Sequence, residues 1–234
     1  MPTVKKGLCA ALLMLMAVFC CLPAPAEDTE TLPPNMRVVN CRQDVSLREK
    51  PSTKAKRLKR VPLGAEVLAW LDGGSDDAEA SRFLYCEYQG QEGYILAEYL
   101  APIAERYDTS LGFSVDYNPY RLRPAETETA LRLDWIGLGG VPAYLELTTP
   151  GSFSEDPLAY MEAHTDYTDT YTAPSGVTVT GGTRASEDFS RSLGFYIITL
   201  GNRTFLAQTS CPIEWDEIAD ADFQAVLHSL SFSE

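Results

Sequence analysis

The side chains that could do chemistry are few: two histidines, His164 and His228, and six cysteines in 234 residues. A Ser-His-Asp site needs a histidine as base and a strained turn to present the serine. The sequence holds no Gly-x-Ser-x-Gly turn. His228 falls within an expected C-terminal helix, two residues before the apolar Leu230, and His164 opens the polar stretch Thr165-Asp166-Tyr167-Thr168-Asp169, where it reads as a surface residue. No cysteine or histidine cluster has zinc-ligand spacing. Asp216, Glu217, Asp220 and Asp222 lack the glycine and the ligand spacing of a calcium loop, and acids at a helix N-terminus are a favoured arrangement in any case. Neither a metal nor a cofactor is expected. Paired carboxylates for glycoside cleavage need not be neighbours in the chain, but nothing nominates a pair, so no catalytic residue is assigned. Aromatic faces remain. Trp70, Tyr85, Tyr88, Tyr94 and Tyr99 offer aromatic faces, and Arg48 a guanidinium. Strand alternation lets at most half of these rings face a ligand, the others being core.

The elements that must position those residues begin after an export signal. Lys5 and Lys6 precede an apolar run from Leu8 to Leu22, followed by Pro23 and Ala24-Pro25-Ala26. This pattern predicts a secretory signal peptide over residues 1–26, cut before Glu27. The run is shorter than the roughly 18 apolar residues of a membrane span. Lipidation at Cys20 or Cys21 is the rival reading, but Val18 and Phe19 lack the small residue such sites require. The expected location is therefore extracytoplasmic, with no membrane attachment after cleavage. Residues 27–36, with Pro33 and Pro34, read as a disordered leader. Processing leaves Cys41, Cys86 and Cys211 in an oxidising compartment, one bridge and one leftover. Cys41 and Cys86 share a domain and each lies in a strand pattern, so they are the expected pair. Cys211 is expected to be a free, buried thiol.

Charge divides the rest in two. Residues 37–100 carry ten Lys and Arg against ten Asp and Glu, whereas residues 105–234 carry seven against twenty, so the net charge of −14 lies almost wholly in the second half. So acidic a surface argues against nucleic acid as a partner. Residues 37–104 show short alternating runs at Met36–Cys41, Val45–Arg48, Arg57–Val61, Ala65–Leu71, Phe83–Tyr88 and Gly93–Leu96, with turn residues between them and no long helix, which predicts a small all-β barrel. The stretch from Arg48 to Arg60 holds seven cations against Glu49 alone. Its default reading is a solvated face, and the sharper one is attraction to an anionic wall polymer or to the acidic second half.

Residues 105–234 read as α+β with an antiparallel sheet. Strands are expected at Leu111–Tyr117, Ala130–Leu138, Ala143–Thr148, Val177–Thr180 and a hairpin of Leu193–Leu200 with Arg203–Thr209. One helix starts at the cap Asp156 with Pro157 behind it and buries Leu158 and Met161. The other is C-terminal, with Phe223, Val226, Leu227 and Leu230 at helical spacing behind Asp220 and Asp222.

Val45-Ser46-Leu47-Arg48 with Pro51-Ser52, then Leu58, Val61-Pro62-Leu63-Gly64, Val67, Phe83-Leu84-Tyr85-Cys86, Gly90, Gly93-Tyr94-Ile95 and Tyr99-Leu100 occur in the order of a bacterial SH3 (SH3b-like) domain, which residues 37–104 resemble. Phe83 stands where that family often has tryptophan, and the acidic loop Asp72 to Ser81 is longer. The resemblance implies an SH3-like barrel that attaches exported proteins to cell-wall peptidoglycan or to peptide segments, hence a secreted or cell-wall associated location, through a shallow groove that Arg48, Trp70, Tyr85, Tyr88, Tyr94 and Tyr99 are the candidates to line. More loosely, Leu111-Gly112-Phe113-Ser114-Val115-Asp116-Tyr117, the late hairpin and the closing Phe223 to Phe232 segment resemble a PsbP-like α/β/α sandwich, whose members act chiefly as non-catalytic interaction domains. The expected function is an exported, non-catalytic binding protein. The alternative is a cell-wall hydrolase with unidentified catalytic residues in its second half.

Overall fold

The computed structural model describes residues 32–70, 77–137, 141–149, 156–166 and 168–232. The expected signal peptide and residues 27–31 of the leader lie outside them, as do Leu71 and Leu138 at the ends of two expected strands. Residues 32–234 cluster as one compact unit built on two hydrophobic cores. The architecture is mainly antiparallel sheet, with two α-helices among the described residues. No helix among them is long and apolar enough to cross a membrane.

The first core lies under seven strands: β1 (Met36–Val38), β2 (Asp44–Arg48), β3 (Arg57–Pro62), β4 (Glu66–Trp70), β5 (Phe83–Tyr88), β6 (Gln91–Leu96) and β7 (Leu100–Pro102), in the order β3-β2-β6-β5-β4-β1-β7. Val38, Leu47, Val61, Val67, Cys86 and Ile95 are buried beneath them. The sheet is not closed, because β3 and β7 are its two edges. Of the expected SH3-like barrel, the structure shows the all-β antiparallel sheet, with these two edges unpaired. Between β5 and β6 the turn is tighter than the four residues expected. Tyr88 already pairs with Gln91, leaving a two-residue loop in which Gln89 and Gly90 both have positive φ, 52° and 72°. That is the primed turn whose twist matches the flanking strands. At Gly93 a Cβ would fall 2.6 Å from the Arg48 carbonyl oxygen, so glycine lets β6 approach β2 closely.

The second core lies between a larger sheet, a three-stranded sheet and a helix. Its strands are β8 (Glu105–Asp108), β9 (Phe113–Tyr117), β10 (Leu122–Glu126), β11 (Ala130–Trp135), β12 (Ala143–Thr148), β13 (Asp169–Thr172), β14 (Thr178–Ala185), β15 (Arg191–Leu200), β16 (Arg203–Pro212) and β17 (Ser231–Phe232). They run β10-β11-β12-β16-β15-β14-β13 and β17-β9-β8. In β11 and β12, Leu131, Leu133, Trp135, Ala143, Leu145 and Leu147 alternate inward, and a one-residue slip would turn all of them out to water. Helix α1 (Pro157–His164) is capped as expected, the Asp156 side chain accepting from the Ala159 N–H at 2.9 Å. It buries Met161, whereas Leu158, expected on the buried face, is 51% exposed. Helix α2 (Asp216–Ser229) buries Ala219, Phe223, Val226 and Leu227 and packs on β9 and β16. It stops at Ser229, and the closing Ser231–Phe232 is a strand paired with β9 rather than more helix.

The end of the leader is ordered where described. Asn35 bonds the Ala69 backbone with both ends of its amide, Leu32 packs against the second core, and the Pro33 and Pro34 carbonyls accept from Arg121 and Asn118. Tyr120 adds a hydroxyl contact to Glu66 at 3.4 Å. These bonds tie the first sheet to the second.

Candidate functional site

Antiparallel pairing sets four of the six expected groove residues in a single row. Arg48 of β2 lies opposite Tyr94 of β6, Tyr94 opposite Tyr85 of β5, and Tyr85 opposite Trp70 of β4. Directly opposed residues share a face of the sheet, so the row spans about 14 Å at the usual strand spacing. The rings touch, with centroids 5.3 Å apart for Trp70–Tyr85 and 5.2 Å for Tyr85–Tyr94, both tilted. All four side chains are half-buried. The Tyr85 hydroxyl donates to Glu92 at 2.5 Å, and that bond, reinforced by burial, pushes its pKa up to about 12. Tyr85 is thereby fixed as a neutral platform. The adjacent residues Ala69, Cys86 and Gly93 face the core instead.

The other two are elsewhere. Tyr88 packs against the first core and carries the Lys59 ammonium 5.2 Å from its ring centre. Tyr99 also packs against that core and lines a hollow with Asn40, Cys41 and Phe83, to which Arg48 at the end of the row contributes as well. Alternation was expected to let at most half of the five rings face a ligand, whereas three of them, Trp70, Tyr85 and Tyr94, share the face of the row. Which rings share it was set by Leu84, Cys86 and Tyr88 turning inward.

The expected Cys41–Cys86 bridge is absent: Cys41, Cys86 and Cys211 are free thiols. Cys86 sits fully buried among apolar side chains with its Sγ toward the Leu84 carbonyl at 3.4 Å, whereas Cys41 lies in the bend between β1 and β2. Burial raises the Cys86 pKa to about 12, and burial with the nearby Asp216 and Asp220 raises that of Cys211 to about 11. Neither is poised as a nucleophile. The histidines are not placed beside them. His164 stacks on Tyr160 at 3.9 Å, and its Nδ1 meets the Tyr160 carbonyl oxygen at 2.7 Å. His228 stands edge-on to Tyr171 in the last turn of α2, two helical turns beyond Asp220.

A second feature was not legible in the sequence. A cleft of about 460 Å³ opens between the two sheets, walled by the leader end, the ends of β4 and β9, and one face of α2. At its floor Arg121, 3% exposed, donates to Asp222 Oδ1 at 3.1 Å and to the Pro33 carbonyl at 3.1 Å, while Trp135 Nε1 donates to Asp222 Oδ2 at 2.9 Å. Asp222 was expected in the acidic start of the helix. The helix begins at Asp216, so Asp222 stands in its second turn, turned inward. Burial raises its carboxyl pKa, and Arg121 and the Trp135 bond oppose that rise. No group of three or more His, Cys, Asp or Glu that could hold a metal occurs among the described residues. With both oxygens of Asp222 engaged, the cleft offers enclosure and apolar contact. No protein-family model matches this chain, and no curated protein matches it either.

Proposed function

We propose that the protein is an exported, non-catalytic binding protein that holds cell-wall peptidoglycan on the Arg48–Tyr94–Tyr85–Trp70 row. In this reading residues 37–104 are an SH3b-like domain and residues 105–234 a second, PsbP-like interaction domain. The row carries the proposal. Three tilted aromatic faces beside Arg48, whose guanidinium donates to the Ala55 carbonyl at 2.9 Å and has further N–H donors, suit a polymer that alternates ring faces with acidic peptide, because aromatic planes pack on apolar ring faces and arginine donates to carboxylates. Lys50, Lys54, Lys56 and Arg57, all exposed and without an ion pair among the described residues, add long-range attraction for an anionic wall.

The test is co-sedimentation with purified sacculi across a salt series, using the protein and its Tyr94→Ala and Tyr85→Ala variants. Retention at high salt by the parent, with at least tenfold loss in the variants, is expected. Loss of the parent at modest salt would move the attachment to the lysine-rich stretch. Absence of sedimentation would leave a peptide-binding module instead. The hydrolase alternative draws on the raised pKa of Asp222 in the cleft. Its engagement by Arg121 and Trp135 favours binding over proton transfer, and release of reducing ends from sacculi would reverse that preference.

A further inference from the structure

We infer that the cleft between the two sheets is a binding site for an apolar small molecule without negative charge, a site that borders the aromatic row and shares Trp70 with it. Its volume, about 460 Å³, falls within the range of small-molecule sites. Its walls carry Met36, Leu68 and Trp70 from the first sheet, Ile103 from the segment after β7, and Ile218 and Ala225 from α2. The alanines of that helix, Ala221 and Ala225, point short side chains at the space and leave it open.

The polar groups of the wall determine the charge of the ligand. Asn35 is engaged by the Ala69 backbone, Asn118 by the Pro34 carbonyl and the Tyr120 N–H, and Arg121 by Asp222 and the Pro33 carbonyl. Trp135 takes the other oxygen of Asp222, and the Ser229 hydroxyl is shared by the Asp116 N–H and the Val226 carbonyl. The buried cation and anion of the floor thus neutralise one another, and the amides bond to backbone. An anionic ligand would lose its water there without gaining a cation, or would have to break the Arg121–Asp222 pair. Acids at the margin, Glu217 and Asp116, further disfavour anions. An apolar molecule meets no such cost and gains by covering the wall.

The probe is N-phenyl-1-naphthylamine, neutral and fluorescent on transfer from water, titrated into the full chain with Trp70 as an energy-transfer donor. The expected result is saturable one-site binding, weakened at least tenfold by Ala225→Trp, which fills the cleft, and to an intermediate degree by the smaller Ala225→Met. Tyr94→Ala, in the row, should bind the probe like the parent, so that failure of the wall-binding reading does not count here. Dodecanol should displace the probe at a concentration at least tenfold lower than dodecanoate. Absence of saturable binding, or parent-like binding by a folded Ala225→Trp or Ala225→Met, would overturn the site. Equal displacement by dodecanoate would overturn its selectivity against negative charge.

Discussion

Cys86 shows how burial sets chemistry at single residues. Its thiol lies at the centre of the first core, where the thiolate is disfavoured by lost solvation, and Cys211 is in the same state in the second. Of the three cysteines among the described residues, only Cys41 is partly exposed. A thiol reagent such as dithionitrobenzoate at pH 8 should therefore modify Cys41 in the native protein, and Cys86 and Cys211 only after unfolding. A Cys41–Cys86 peptide in a non-reducing digest would contradict this and restore the bridge expected from cysteine number and location.

Glycines decide how the strands lie against one another. Val177 to Thr180 was expected to end before Gly181-Gly182, yet β14 runs through both to Ala185. The reason is Tyr196 of β15. A Cβ at Gly181 would fall within contact distance of the Phe195 carbonyl and the Tyr196 ring, and one at Gly194 would meet the same ring. These glycines make room for an aromatic side chain that donates no bulk to water and receives a bond from Gln224 at 3.0 Å. Gly181→Ala should destabilise the fold by about 1–3 kcal/mol through overpacking, measured as a fall in the urea midpoint at unchanged slope. An unchanged midpoint would mean that β14 and β15 separate more easily than their pairing implies.

The same scale explains which strands the sequence hid. The unexpected β8, β10 and β13 are all at sheet edges. Edge strands with both faces partly wet show no alternation, as in Asp169-Thr170-Tyr171-Thr172, and β10 carries Pro124, which is tolerated at an edge. The central strands β11, β12, β15 and β16 were visible because each must keep one face dry.

For the whole molecule, the Arg121–Asp222 pair joins the leader, strand β11 through Trp135, and helix α2 at one buried point. Replacing Arg121 by methionine leaves Asp222 buried without its cation and should cost about 3–5 kcal/mol, read from urea unfolding at pH 7. The pH dependence has a definite sign. Without Arg121 only burial and the Trp135 bond act, so the carboxyl pKa in the folded state rises further above its unfolded value and protonation favours the fold. The deficit should be largest at neutral pH and shrink as pH falls through that raised pKa. A deficit independent of pH would show that Asp222 is not left charged in the interior.

The sequence by itself determined the antiparallel strands with inward-alternating faces, the capped start of α1, the buried stripe of α2 and the supply of aromatic and basic side chains in the first half. These follow from local rules, since periodicity, caps and turn residues act over a few positions. Tertiary structure decided which residues meet. Strand register gathered Arg48, Tyr94, Tyr85 and Trp70 into one row and turned Tyr88 inward, burial kept the thiols apart, and packing closed a cleft from residues as distant as Leu32 and Ser229. Such meetings depend on how sheets curl and dock, and no spacing along a chain encodes a contact between segments that only the folded core brings together.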